Sequence, residues 1–176
     1  SFNKIAEIPH DIAMYKELKV VKLRGNNLTT LPSVLFTECN MIKHLDVSQN
    51  SLTEIQSDIR ALLDVREILL SENKLPTIPF DFNALETLQV LDLSKNVLTT
   101  LPECTLSQLL YLNVSENRLS HLPAKLSQYT MLETLICKKN IIQALPSFAR
   151  LDKLKVIDAM ENNIDTFPVL PASTEI

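Results

Sequence analysis

The sequence predicts an α/β solenoid: a right-handed coil with a curved parallel β-sheet on its concave face. Short helical, 3₁₀ or extended returns are expected on its convex face. Three observations predict this. A unit of 21 to 24 residues recurs seven times, its polar and apolar residues alternate over one short stretch, and an Asn stands at the same place in every copy. A fixed period of this size marks stacked coils, each too small to bury its own apolar face alone.

The units begin at Leu18, Ile42, Val65, Leu88, Leu109, Leu132 and Leu154. Leu18–Pro32 reads LKVVKLRGNNLTTLP and Leu88–Pro102 reads LQVLDLSKNVLTTLP. All seven fit LxxLxLxxNxLxxLP, with apolar residues at positions 1, 4, 6, 11 and 14 and Asn at position 9. Proline follows at position 15 in every unit but the second, where Gln56 replaces it. Residues 1–17 supply a partial unit, so residues 1–176 read as one repeat domain.

Around positions 4 and 6 the residues alternate polar and apolar, the period of a strand with one buried face. Such strands, stacked in parallel, require each coil to return on the opposite side. The residues after each Pro supply that return and carry apolar anchors: Ile12 and Tyr15, Leu35 and Cys39, Ile59 and Leu62, Phe82 and Leu85, Cys104 and Leu106, Leu126 and Tyr129, Phe148 and Leu151. These segments are too short for long helices, so single turns or 3₁₀ pieces are expected. The return after Pro102 is two residues short, which points to an extended path.

Asn26, Asn50, Asn73, Asn96, Asn117, Asn140 and Asn162 are expected to form a structural ladder, with Asn3 an eighth member. Their amides can satisfy backbone groups of adjacent coils that would otherwise be buried unpaired. The Ser at position 7 (Ser48, Ser71, Ser94, Ser115) is expected to brace the same bend.

This pattern resembles the leucine-rich-repeat family from Ser1 to about Pro168. The LP ending and the period of about 23 residues are most similar to the intracellular subclass found in Ras suppressor and in Scribble-type and Erbin-type scaffolds. The resemblance implies a protein-interaction module, a scaffold or targeting arm with signalling partners such as small GTPases or phosphatases. An alternative is a regulatory or targeting domain of a larger enzyme: a kinase, GTPase, cyclase, phosphatase or ubiquitin ligase. An extracellular receptor ectodomain is disfavoured by the lack of Cys-rich flanking caps. Neither end of the chain offers a recognisable capping unit, so a segment of a longer polypeptide is expected.

Composition excludes several other classes. The single Gly (Gly25) rules out Gly-rich phosphate loops, and a net charge of −4 gives no electrostatic footprint for nucleic acid. No apolar run approaches the ~18 residues of a membrane span, so no membrane insertion is expected. Cys39, Cys104 and Cys137 are odd in number and widely spaced, which reads as free buried thiols in an intracellular, cytoplasmic protein. The sequons at Asn27 and Asn113 follow from the repeat frame, where Asn and Ser/Thr recur.

No catalytic or metal-binding constellation emerges, and neither enzyme activity, a cofactor, a metal nor a small-molecule substrate is expected. His10 and His121 fall in return or turn segments. His44 shares a strand face with Asp46, and Ser48 follows in line, which superficially suggests a triad. Strand neighbours on one flat face do not, however, form a nucleophile–base–orienter chain with a pocket and oxyanion donors.

The exposed strand face is therefore the candidate site for a protein partner. Position 3 reads Val20, His44, Glu67, Val90, Tyr111, Thr134, Val156, and position 5 reads Lys22, Asp46, Leu69, Asp92, Asn113, Ile136, Asp158. Position 7 (Arg24, Ser48, Ser71, Ser94, Ser115, Lys138, Met160) and position 8 (Gly25, Gln49, Glu72, Lys95, Glu116, Lys139, Glu161) are expected to face outward too. Leu69, Val90, Tyr111 and Ile136 lie across four consecutive coils, where folding needs no apolar residue, and suggest an anchor strip with Tyr111 as hot spot. The competing explanation, that β-branched and aromatic residues favour exposed strand positions, accounts better for Val90 than for Leu69 or Tyr111. Charge on this face is nearly balanced, with Lys22/Arg24 and Lys138/Lys139 at the two ends and acids filling much of the middle.

Overall fold

The computed structural model describes residues 3–170, apart from the side chains of Phe80 and Asp81. Ser1 and Phe2 of the partial unit, and the last six residues of the chain, lie outside the described residues.

Seven three-residue strands form one sheet in sequence order: β1 (Val20–Lys22), β2 (His44–Asp46), β3 (Glu67–Leu69), β4 (Val90–Asp92), β5 (Tyr111–Asn113), β6 (Thr134–Ile136) and β7 (Val156–Asp158). Every neighbouring pair is parallel, and the register joins like positions, as in Val90↔Tyr111, Leu91↔Leu112 and Asp92↔Asn113. Each strand thus occupies positions 3 to 5 of its unit. The central residue faces the core and is buried in β1 through β6.

The returns differ from coil to coil. One is a short helix, α1 (Val34–Thr37), and four are 3₁₀ turns: His10–Met14, Ser57–Ala61, Phe80–Ala84 and Ala124–Gln128. The returns after Pro102 and Pro146 carry neither. The first of these is the extended path its short length predicts. Pro9, Pro79 and Pro123 stand directly before 3₁₀ turns with φ of −67, −68 and −57. The pyrrolidine ring presets that angle, and its missing N–H is no loss where a return begins.

The core lies between sheet and returns as one continuous apolar file. Leu45, Ile68 and Leu135 from the sheet, Leu52, Leu75 and Leu98 from position 11, and Phe36, Phe82 and Phe148 from the returns are almost wholly buried. Strands stack about 4.8 Å apart, while these bulkier returns need more room, so the sheet is the inner, concave wall. In the return that holds α1, Leu35 and Cys39 are buried as expected, and Phe36 is buried beside them because α1 turns one more residue inward. Tyr15, expected as an anchor, is instead 64% exposed. It is the C-cap of its 3₁₀ turn, like the buried Leu62, but its coil has a described neighbour on one side only. Phe167, the position-14 residue of the seventh unit, is 61% exposed for the same reason at the other end.

The Asn side chains join successive coils. Asn96 Nδ2 donates to the carbonyls of Leu93 and Ser94 in its own coil and to Leu70 O in the preceding one, at 3.0–3.2 Å. Its Oδ1 accepts the Leu75 N–H at 3.0 Å. Asn50, Asn73, Asn117, Asn140 and Asn162 repeat both kinds of cross-coil bond. Asn26 accepts Ile5 N–H at 3.1 Å and donates within its own coil. Asn3 is exposed.

Position 8 is left-handed in every unit. Gly25 has φ 71, and Gln49, Glu72, Lys95, Glu116, Lys139 and Glu161 have φ between 52 and 55. Glycine adopts this region without strain, whereas another residue does so at a cost of about 1 kcal/mol. In the first six units the turn aims the position-8 N–H at the position-7 carbonyl of the next coil, as in Lys95 N to Ser115 O at 2.9 Å.

Candidate protein-binding face

The inner wall is built from positions 3 and 5, whose side chains leave the sheet opposite the buried position 4. Val20, Lys22 and Val156 are exposed; His44, Asp46, Glu67, Leu69, Val90, Asp92, Tyr111, Asn113, Thr134, Ile136 and Asp158 are half-buried. Position 7 does not belong to this surface throughout. Ser48, Ser94 and Ser115 are buried, because the chain is already turning inward there. Gly25 is buried as well.

Position 5 has a structural use that the repeat pattern alone did not reveal. In four coils it is Asp or Asn, and in each its Oδ1 accepts the backbone N–H two residues on. The distances are 3.1 Å for Asp46 to Ser48, 2.9 Å for Asp92 to Ser94, 3.1 Å for Asn113 to Ser115 and 3.3 Å for Asp158 to Met160. This Asx turn steers the chain off the strand. The Ser48 and Ser115 hydroxyls donate to the same oxygens, so the serines brace the bend. Leu69 and Ile136 occupy that position in their coils and cannot accept such a bond. They forgo a local stabilising device in favour of an apolar surface.

The register sets the four apolar residues in an arc. Val90 and Tyr111 are direct partners in the position-3 column. Leu69 lies beside Asp92, and Ile136 beside Asn113, in the position-5 column. The arc therefore encloses Asp92 and Asn113. Burial, reinforced by the Asp92 charge, raises the Tyr111 hydroxyl above its ordinary value, while its hydrogen bond with Asn113 and nearby Lys138 act the other way. The phenol is a neutral amphipathic group at any physiological pH.

The charges pair mainly across coils. His44 Nδ1 donates to Glu67 Oε2 at 2.5 Å, while Asp46, which shares its strand face, is turned to Ser48, so the superficial triad is not assembled. His44 Nε2 is buried without a hydrogen-bond partner, and no nucleophile lies on it. Along positions 7 and 8, Arg24 donates to Gln49 at 3.2 Å, Gln49 donates to Glu72 at 3.1 Å, and Lys95 lies 3.5 Å from Glu72. The Gln49 hydrogen bond, opposed by burial and reinforced by Lys95 and by the Arg24 charge, holds the Glu72 carboxyl below its ordinary value. Lys138 pairs with Asp158 at 3.1 Å.

Elsewhere the chemistry is quiet. His10 and His121 are exposed. Cys39, Cys104 and Cys137 are free and buried; burial pushes the Cys137 thiol up to about 12 and raises the other two. Thiols so shifted are poor nucleophiles. Among the described residues there is no group of three or more His, Cys, Asp or Glu able to hold a metal ion. No helix there is long and apolar enough to cross a membrane.

An open stack of single-strand coils with a solvent-facing sheet defines a solenoid repeat protein. Two leucine-rich-repeat family models match, over residues 16–75 and 87–109, and with the fold they support placing the chain in the leucine-rich-repeat family. No curated protein matches the sequence. Among solved structures, YopM of Yersinia pestis is 27% identical with a TM-score of 0.83, over 99% of this chain and 46% of that one. A leucine-rich-repeat protein of Leptospira interrogans is 27% identical with a TM-score of 0.71, over 93% of this chain and 50% of that one. A plant peptide hormone receptor, RGFR1 in complex with RGF2, is 25% identical with a TM-score of 0.70, over 89% and 30%. The chain thus spans half or less of the length of each. Leucine-rich-repeat proteins generally serve as protein-interaction modules.

Proposed function

We propose that this chain is a non-catalytic protein-recognition module that takes its partner on the concave sheet face. The observation that carries this reading is the arc of Leu69, Val90, Tyr111 and Ile136, two of whose members displace an Asx turn used in four other coils. The peptide bound by a structurally similar receptor supports it. A stack fixed by cross-coil Asn bonds offers a preformed surface, so binding costs little ordering entropy. An intracellular scaffold or targeting role in signalling, of the LP-ending Scribble or Ras-suppressor kind, agrees with the free thiols.

The test is capture of partners from cell extract by the wild type and by the double variant Leu69→Asp, Tyr111→Ala. A second double variant, Met41→Ala with Leu63→Asp, alters exposed residues outside the strands. The concave variant should lose the partner by tenfold or more, about 1.4 kcal/mol, while the other retains it and both keep the wild-type circular dichroism. Retention by the concave variant, with loss by the other, would move recognition off the sheet.

A further inference from the structure

Setting the internal ion pairs aside leaves the concave centre uneven in charge. Glu67 is held by His44, Glu72 by Lys95 and Asp158 by Lys138. Among the described residues Asp92 has no ion-pair partner. Its Oδ1 accepts the Ser94 N–H at 2.9 Å. Asp92 is half-buried, with Leu69 beside it on β3, Val90 two residues earlier on its own strand face, and Tyr111 next to Val90. A carboxylate partly stripped of water among apolar neighbours is poorly solvated, and an incoming cation restores what it has lost.

Spacing narrows the chemistry of that cation's carrier. Leu69 and Ile136 stand in one column three strands apart, a span of about 14 Å at the usual strand separation. An extended segment running across the strands places residues i and i+4 about 14 Å apart, with residue i+2 between them on the same side. That middle residue projects between Asp92 and Asn113, within reach of a long basic side chain.

Resting on the concave reading above, we propose that the occupant is an extended peptide segment of the pattern apolar–x–Lys/Arg–x–apolar. Its two apolar residues lie on Leu69 and Ile136, and its cation reaches Asp92.

The probe is a displayed random-peptide library panned on the full 176-residue chain. Selected peptides should carry a basic residue with apolar residues two places to either side. The best of them, synthesised, should bind Asp92→Asn about tenfold more weakly, with a shallower salt dependence. The variant should fold, since Asn113 makes the same turn in the next coil. Panning Asp92→Lys should replace the basic residue by Asp or Glu. Selected peptides without a basic residue, or an affinity for Asp92→Asn within about twofold of wild type, would overturn the proposal. If Leu69→Ser and Tyr111→Ala still weaken binding in that case, the concave reading stands without its cation. If those variants bind normally too, or no peptide is selected, both readings fall.

Discussion

Gln56 stands where the other units have proline, and its backbone already has a proline's shape. Its φ of −74 and ψ of 151 nearly match the −68 and 148 of Pro79 one coil on. Its side-chain Oε1 is buried without a hydrogen-bond partner, an unmet acceptor that carries a desolvation cost. Gln56→Pro should therefore stabilise twice over, by removing that orphan and by narrowing the unfolded ensemble. The expected gain is about 1 kcal/mol, read as a higher urea midpoint with an unchanged slope. A lower midpoint would mean that the Gln56 amide makes a contact proline cannot. Gly25 teaches a related point about what single residues disclose. It is the one glycine at the left-handed position 8, and the Gln, Glu and Lys residues of the other coils give no compositional sign that they share its conformation.

Returns are the elements in which the coils differ, and the shortest of them has acquired a task. After Pro102 the chain runs extended, which brings Glu103 beneath the start of the 3₁₀ turn Ala124–Gln128. The Glu103 carboxylate accepts the N–H groups of Ala124 and Lys125 at 2.9 and 3.0 Å. The Lys125 bond first, then that of Ala124, holds its carboxyl below the ordinary 4.5. Because the folded value is the lower one, the fold favours the ionised form. The contribution is fully present above the ordinary value and is lost as pH falls through the folded one. Glu103→Gln should thus cost about 0.5–1 kcal/mol near neutrality, the low side of a capping substitution at an exposed site. In urea titrations the gap between variant and wild type should close as pH drops below the carboxylate range. A gap independent of pH would assign the loss to packing.

For the whole molecule, what could be read from the sequence was whatever each coil repeats. Strand positions, the inward Leu and Ile residues and the placement of Asn96 and its equivalents follow from one period, because every coil meets the same neighbours. What could not be read depends on those neighbours individually. Tyr15 and Phe167 fit the pattern of Leu62 and Leu122 yet lie exposed, since burial is supplied by the adjacent coil and not by the residue's own unit. On the concave face the columns were legible, but the pairing of His44 with Glu67 across the strands was not. Intervals along one strand say nothing of which side chain on the next strand a rotamer will meet. A stack held by nearest-neighbour contacts should show this dependence in its stability. Leu91 in β4 is 2% exposed with a coil on either side, whereas Ile157 in β7 holds the same position and is only half-buried. Leu91→Ala should cost about 3 kcal/mol, as a full core truncation does, and Ile157→Ala about 1 kcal/mol, in keeping with its smaller loss of buried surface. Denaturant titration of the two variants measures the difference directly. Equal costs would mean that the coil of β7 is as well covered as the centre, and that a neighbour beyond it completes the stack.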